Sequence, residues 1–154
     1  MMKRVAKKLV KIVRYVGVDD VGRVINPLIV DGQTQGDIVQ GVGQALMEEC
    51  IYDMKNAQLL SGSFMDYSIP RADNVPFFIL ENNEIPAPNT FLGVKGGGEG
   101  GTTAAPAALI NAIADALSDL GITHVEMPAT PEKIWRLIME HKYTKTDLKG
   151  DVNG

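Results

Sequence analysis

Glu99 is the one charged residue in a run of glycine. Gly96, Gly97 and Gly98 precede it, Gly100 and Gly101 follow it, and Thr102 and Thr103 open an expected helix. Glycines strip side chains from around a backbone and let another molecule come close. A Walker-type phosphate loop needs Lys-Ser/Thr after its last glycine; Thr102-Thr103 stand there instead, which removes that reading. A dinucleotide loop fits better: Gly96, Gly98 and Gly101 spell G-x-G-x-x-G, and Glu126 closes the next expected strand, where a ribose contact belongs. Glu99 would then repel the pyrophosphate, and too little chain follows for a second mononucleotide half. In a third reading the carboxylate is the purpose of the loop. Bared among glycines at a helix start, it stays ionised beside the positive end of the helix, whereas burial would oppose ionisation. An ionised carboxylate in a tight site is what a general base requires. A solvated loop residue without a role explains the same local residues equally well.

The elements that hold this loop are legible from pattern. Ile12 to Val18 is β-branched or aromatic with one arginine, and Asp19, Asp20 and Gly22 stop it, which predicts a strand. NPLIVDG reads as a turn with a short apolar run. From Gly36, the stripe of Ile38, Val42, Ala45, Leu46 and Cys50 predicts a helix. Gly36, Gly41 and Gly43 each cost that helix about 1 kcal/mol relative to alanine, so they are expected against a neighbouring backbone or a ligand. Ile51-Tyr52 and Leu59-Leu60 flank a polar turn as a hairpin, and Phe91 to Lys95 reads as a short strand entering the glycines. The helix after Thr103 runs to about Leu120 and ends at Gly121. Its polar face (Asn111, Asp115, Ser118, Asp119) is narrow, which predicts a largely covered helix. Ile122 to Glu126 reads as a strand. Thr130, Pro131 and Glu132 then make a helix start of N-cap, N1 proline and first-turn acid. The fold class expected is α+β, a mixed β-sheet with hairpins and two to three helices packed against it.

At 154 residues the chain is one domain's worth, long enough to bury a core without staples. Residues 1–12 form a basic lead-in, 13–142 the domain and 143–154 a polar tail. Lys3, Arg4, Lys7, Lys8, Lys11 and Arg14 stand without an acid among them, while the other nine basic residues face 19 acids. An acidic body argues against nucleic acid as partner. One cysteine, Cys50, excludes an internal disulfide and an iron–sulfur cluster held by this chain alone. The two histidines show no zinc spacing with it, and no apolar run nears the ~20 residues of a membrane helix.

Four segments in order carry a resemblance: VGVDDVGRVINPLIVDGQTQGDIVQGVGQALMEE, GSFMDYSIPRADNVP, GVKGGGEGGTTAAPAALINAIADAL and MPATPEKIW. Together, from about Val13 to His141, they resemble the C-terminal part of the molybdenum-binding large subunit of the xanthine dehydrogenase, aldehyde oxidase and aerobic carbon monoxide dehydrogenase family. The resemblance implies a molybdenum hydroxylase that oxidises an aldehyde, N-heterocycle or similar small substrate with water as oxygen source. Glu99 falls on that family's general base at the molybdenum centre. Gly97 and Gly98 fall on backbone beside the metal, although the family usually has valine where Gly97 stands. Gln33 falls on the glutamine that contacts the cofactor; its amide both donates and accepts without adding charge. The cofactor implied is molybdopterin or its cytosine dinucleotide, shared with residues outside this chain, with no protein side chain here ligating the metal. Iron–sulfur and flavin groups are expected only on partner domains or subunits. Expected partners are the remainder of the large subunit, those electron-transfer subunits and the substrate, in the cytoplasm and not at a membrane. Because the family's subunit is several times longer, the chain is expected to be a fragment or a split piece, inactive alone and prone to self-association. A nucleotide-binding module or a non-catalytic assembly domain remains the alternative.

Overall fold

The computed structural model describes residues 10–150, with side chains through residue 142. The element order is β1 (Val16–Asp19), α1 (Pro27–Leu46), a 3-10 turn at Ala72–Asn74, β2 (Ile79–Asn82), α2 (Gly100–Leu117), a 3-10 turn at Ser118–Leu120, and α3 (Pro131–Gly150). Most of the basic lead-in (1–9) and the last four residues of the polar tail (151–154) lie outside the described residues. The α+β class holds. The sheet is two-stranded, β1 beside β2 in parallel with Val16 opposite Ile79 and Asp19 opposite Asn82.

Capping chemistry sets the helix ends. Asn26 Oδ1 accepts from Ile29 N at 3.3 Å and Pro27 occupies the first turn, so α1 begins there. The short apolar run after Asn26 is therefore helical, not a loop, and α1 starts nine residues earlier than the stripe from Gly36 predicts. Gly121, in the left-handed region at φ 82°, ends the α2 segment as expected. Thr130 Oγ1 accepts from Lys133 N at 3.3 Å and caps α3.

The core sits where α1 crosses α2. Ile38, Val42, Ala45 and Leu46 pack with Ala105 and Leu109, and Ile122, Val125, Ala129 and Ile134 close the cluster. The crossing is tight because each helix offers a notch. A β-carbon on Gly41 would stand 2.7 Å from Ala105 Cβ, and one on Gly101 would stand 2.8 Å from Asp37 Cβ and 2.9 Å from Thr34 O. Gly41 thus meets the expectation of close packing; Gly43 lies against Glu48 and Pro70, while Gly36 faces open space.

Other expectations change. The hairpin is real, with Leu60 N donating to Ile51 O at 2.7 Å and Tyr52 bridging Leu59. Phe91 to Lys95 is not a strand; only Val94 bridges, antiparallel, to Gly22. Ile122 to Glu126 is irregular, its Ile122 and Val125 buried as core plugs, not as sheet residues. The apolar residues there are buried as a strand's would be, but among the described residues no neighbouring strand pairs with them. Helix α2 is less covered than its composition predicts: Ala104, Ala108, Ala112 and Ala116 are bare and line a groove of about 760 Å³ against residues 10–19. Among the described residues no helix is long and apolar enough to cross a membrane.

Candidate functional site

The glycine loop is tied down at its entry. Lys95 N donates to Val21 O at 2.8 Å and Arg23 N donates to Gly93 O at 3.0 Å, so the loop leaves from an isolated antiparallel bridge. Gly22 (φ 67°) and Gly93 (φ 71°) both sit in the left-handed region that this reversal demands. Lys95 Nζ lies 2.5 Å from Asp20 Oδ2, and Gly22 N donates to Asp20 Oδ1 at 2.9 Å. The hydrogen bond from Lys95, then that from the Gly22 amide, hold the Asp20 carboxyl below the usual carboxylate range. Lys95 thereby anchors the loop.

Beyond Lys95 the glycines divide by what surrounds them. A β-carbon on Gly97 would meet Val21 Cγ1 at 2.8 Å, so Val21 fills the space a side chain at 97 would take. Around Gly96 and Gly98 nothing lies within 4 Å of that point, and neither needs a positive φ. Packing does not require glycine at these two positions; their backbone is simply left open to approach.

Glu99 ends the loop as the N-cap of α2, and it caps through its main chain alone: Thr103 N and Thr103 Oγ1 donate to Glu99 O at 3.1 and 2.9 Å. Its side chain is exposed, makes no capping bond and enters none of the ion pairs formed among the described residues. The carboxylate therefore projects from the end of a helix whose first N–H groups favour negative charge.

Gln33, 65 residues away in sequence, reaches this loop: its Nε2 donates to Gly98 O at 3.2 Å. Three of the four residues singled out from sequence, Gln33, Gly98 and Glu99, therefore form one cluster, with Gly97 packed behind it. Asp37 was missed. It is 8% exposed, accepts from Gln33 Nε2 at 3.1 Å through Oδ1, and keeps Oδ2 buried without a partner. An unmet buried acceptor costs about 1–3 kcal/mol, so a carboxylate kept here is not explained by packing. The signal is the four-residue spacing of Gln33 and Asp37, which carries meaning only once α1 extends back past Gly36 to include Gln33. Asp66 and Tyr67 bond within the fold: Ser63 Oγ donates to Asp66 Oδ2 at 2.6 Å and Tyr67 OH to Glu48 Oε2 at 2.8 Å. Trp135 is not core; it is 36% exposed at the edge of α3.

The dinucleotide reading loses its frame, since no strand runs into the glycines and none follows α2 to complete a βαβ unit among the described residues. Nor do three or more His, Cys, Asp or Glu side chains gather there to hold a metal ion. The donor set is an amide, open backbone and one bare carboxylate, which suits the edge of an organic cofactor. The apolar groove under α2 touches Gly101 but neither Gln33 nor Glu99.

Comparison with known proteins bears on this cluster. A family model described as a molybdopterin cofactor-binding domain matches residues 5–76, which include Gln33 and Asp37. The nicotine 6-hydroxylase large subunit of Paenarthrobacter nicotinovorans is 46% identical over 127 residues, 82% of this chain and 15% of that protein. Among solved structures, quinoline 2-oxidoreductase from Pseudomonas putida 86 superposes with a TM-score of 0.77 at 44% identity, covering 81% of this chain and 16% of that one. Carbon monoxide dehydrogenase from Oligotropha carboxidovorans gives 0.81 at 30% identity over 87% of this chain and 16% of that one. The chain spans only about 16% of the length of such relatives.

Proposed function

The chain belongs to the family of molybdenum-binding large subunits of molybdopterin-dependent oxidoreductases, and from that premise we propose that it forms one wall of a molybdenum-pterin site, with Glu99 as general base. The observation that carries the reading is a bare carboxylate on an open glycine loop, beside a glutamine amide that reaches the same loop from α1. When bound, the cofactor supplies a metal that draws oxygen from water and accepts the two electrons of the oxidation. Everything else asked of this chain is positioning and proton handling. Glu99 takes and holds one proton on its carboxylate, at the N-terminal end of α2. Gln33 binds the cofactor edge, and the empty space at Gly96 and Gly98 lets that edge lie against the backbone.

The names of the relatives support one substrate class. The two named above with 44% and 46% identity carry nicotine and quinoline in their names, whereas carbon monoxide dehydrogenase stands at 30%. A small N-heterocycle is therefore the favoured substrate class. The rest of a large subunit, with iron–sulfur and flavin partners, completes the site and removes the electrons in the cytoplasm; the pterin is molybdopterin or its cytosine dinucleotide.

The test is Glu99→Gln in the chain assembled with those partners. Turnover should fall by about 10²–10⁴-fold, the usual worth of a positioned base, while molybdenum and pterin content stay at the wild-type level. Surviving turnover removes Glu99 from the role. Loss of molybdenum along with turnover makes it a cofactor contact instead.

A further inference from the structure

Gln33 Nε2 carries two protons, and the fold places an acceptor before each: Asp37 Oδ1 at 3.1 Å and Gly98 O at 3.2 Å. Neither a carboxylate nor a carbonyl can donate, so reversing the amide would set its oxygen against two other oxygens. We propose that Asp37 is a positioning residue: with Gly98 it occupies both amide protons of Gln33, so that this exposed side chain presents its carbonyl oxygen to the site. What docks there must then offer a hydrogen-bond donor, an N–H or O–H such as a pterin ring edge carries, and not a phosphate oxygen.

Asp37 is itself held. Gly101 lets the first turn of α2 lie against its β-carbon, Thr102 Oγ1 donates to its main-chain oxygen at 2.9 Å, and its side chain is buried. The buried Oδ2 that no group satisfies marks a carboxylate retained at a cost, beside a helix end that favours its charge. The same contact fixes Gly98, whose carbonyl belongs to the peptide unit that begins Glu99. One carboxylate thus sets both the acceptor facing the ligand and the starting point of the proposed base.

The inference rests on Gln33 being a cofactor contact, so its test separates the two. In the ¹⁵N spectrum of the chain without cofactor, the Gln33 side-chain amide should exchange slowly with solvent and show a nuclear Overhauser contact to Gly98. Asp37→Ala should speed that exchange about five- to tenfold, the worth of one ordinary hydrogen bond, and Asp37→Asn, which keeps an acceptor, should restore it. A wild-type Gln33 amide that exchanges as in an unfolded peptide overturns the proposal, and that arm needs no variant to fold. So does an amide unchanged by Asp37→Ala. In the assembled complex, Gln33→Ala should lower pterin content, and Asp37→Ala should lower it less. If Gln33→Ala leaves pterin content unchanged while the amide is locked, the cofactor reading of Gln33 fails and the lock stands. If pterin falls with Gln33→Ala and not at all with Asp37→Ala, the lock fails and the reading stands.

Discussion

Val21 Cγ1 lies 2.8 Å from the point where a β-carbon on Gly97 would stand, so the two positions share one side chain's worth of space. In Gly97→Val the loop must shift or Val21 must leave. Overpacking of this kind costs about 1–3 kcal/mol. Urea unfolding should show that loss, and Val21→Ala combined with Gly97→Val should recover most of it. If the double variant is no better than the single, the two residues do not compete.

Glycines on the two helices should respond with opposite sign to alanine. Gly101→Ala drives a methyl into Asp37 Cβ, Ile38 N and Thr34 O, two of them main-chain atoms that cannot swing away. It should destabilise by about 1–3 kcal/mol despite the better helix propensity of alanine. Gly36→Ala meets nothing within 4 Å in the interior of α1, and should stabilise by about 0.5–1 kcal/mol. Thermal melting of both variants checks the pair.

The Lys95–Asp20 contact makes loop anchoring depend on pH. Because the folded-state pKa of Asp20 is lowered, its contribution is present above the unfolded value of about 4 and is lost as pH falls through the folded value. Asp20→Asn should therefore flatten the decline in stability below about pH 4. The difference should shrink in high salt, since both groups are partly exposed. Urea midpoints across pH, for wild type and variant, would show it.

Large apolar side chains stand in water: Phe77 and Phe91 are fully exposed, and Met54, Met65 and Phe64 nearly so. Exposed apolar side chains drive association where they gather into a patch. Sedimentation of the chain alone should show a concentration-dependent rise in mass, reduced on assembly with the remainder of a large subunit. A monomer at high concentration would show that these side chains do not act together.

Some of this was readable from local chemistry. Gly121 as a helix stop and Thr130-Pro131 as a helix start depend on residues within one turn, and both hold. The wrong start of α1 shows the limit. Gly32 and a short apolar run hid the first nine residues of the helix that the Asn26 cap and Pro27 begin. The expected strand at 122–126 failed for the converse reason: burial was right, and the partner strand was absent.

The sequence by itself determined that a lone carboxylate would be bared among glycines at a helix start, and its ordered motifs pointed to the family. Only the tertiary structure decided which glycines are packed and which stand open, and which acceptors the Gln33 amide nitrogen meets. An amide is oriented by the acceptors around it, and one of those here is 65 residues distant, beyond the reach of any local preference.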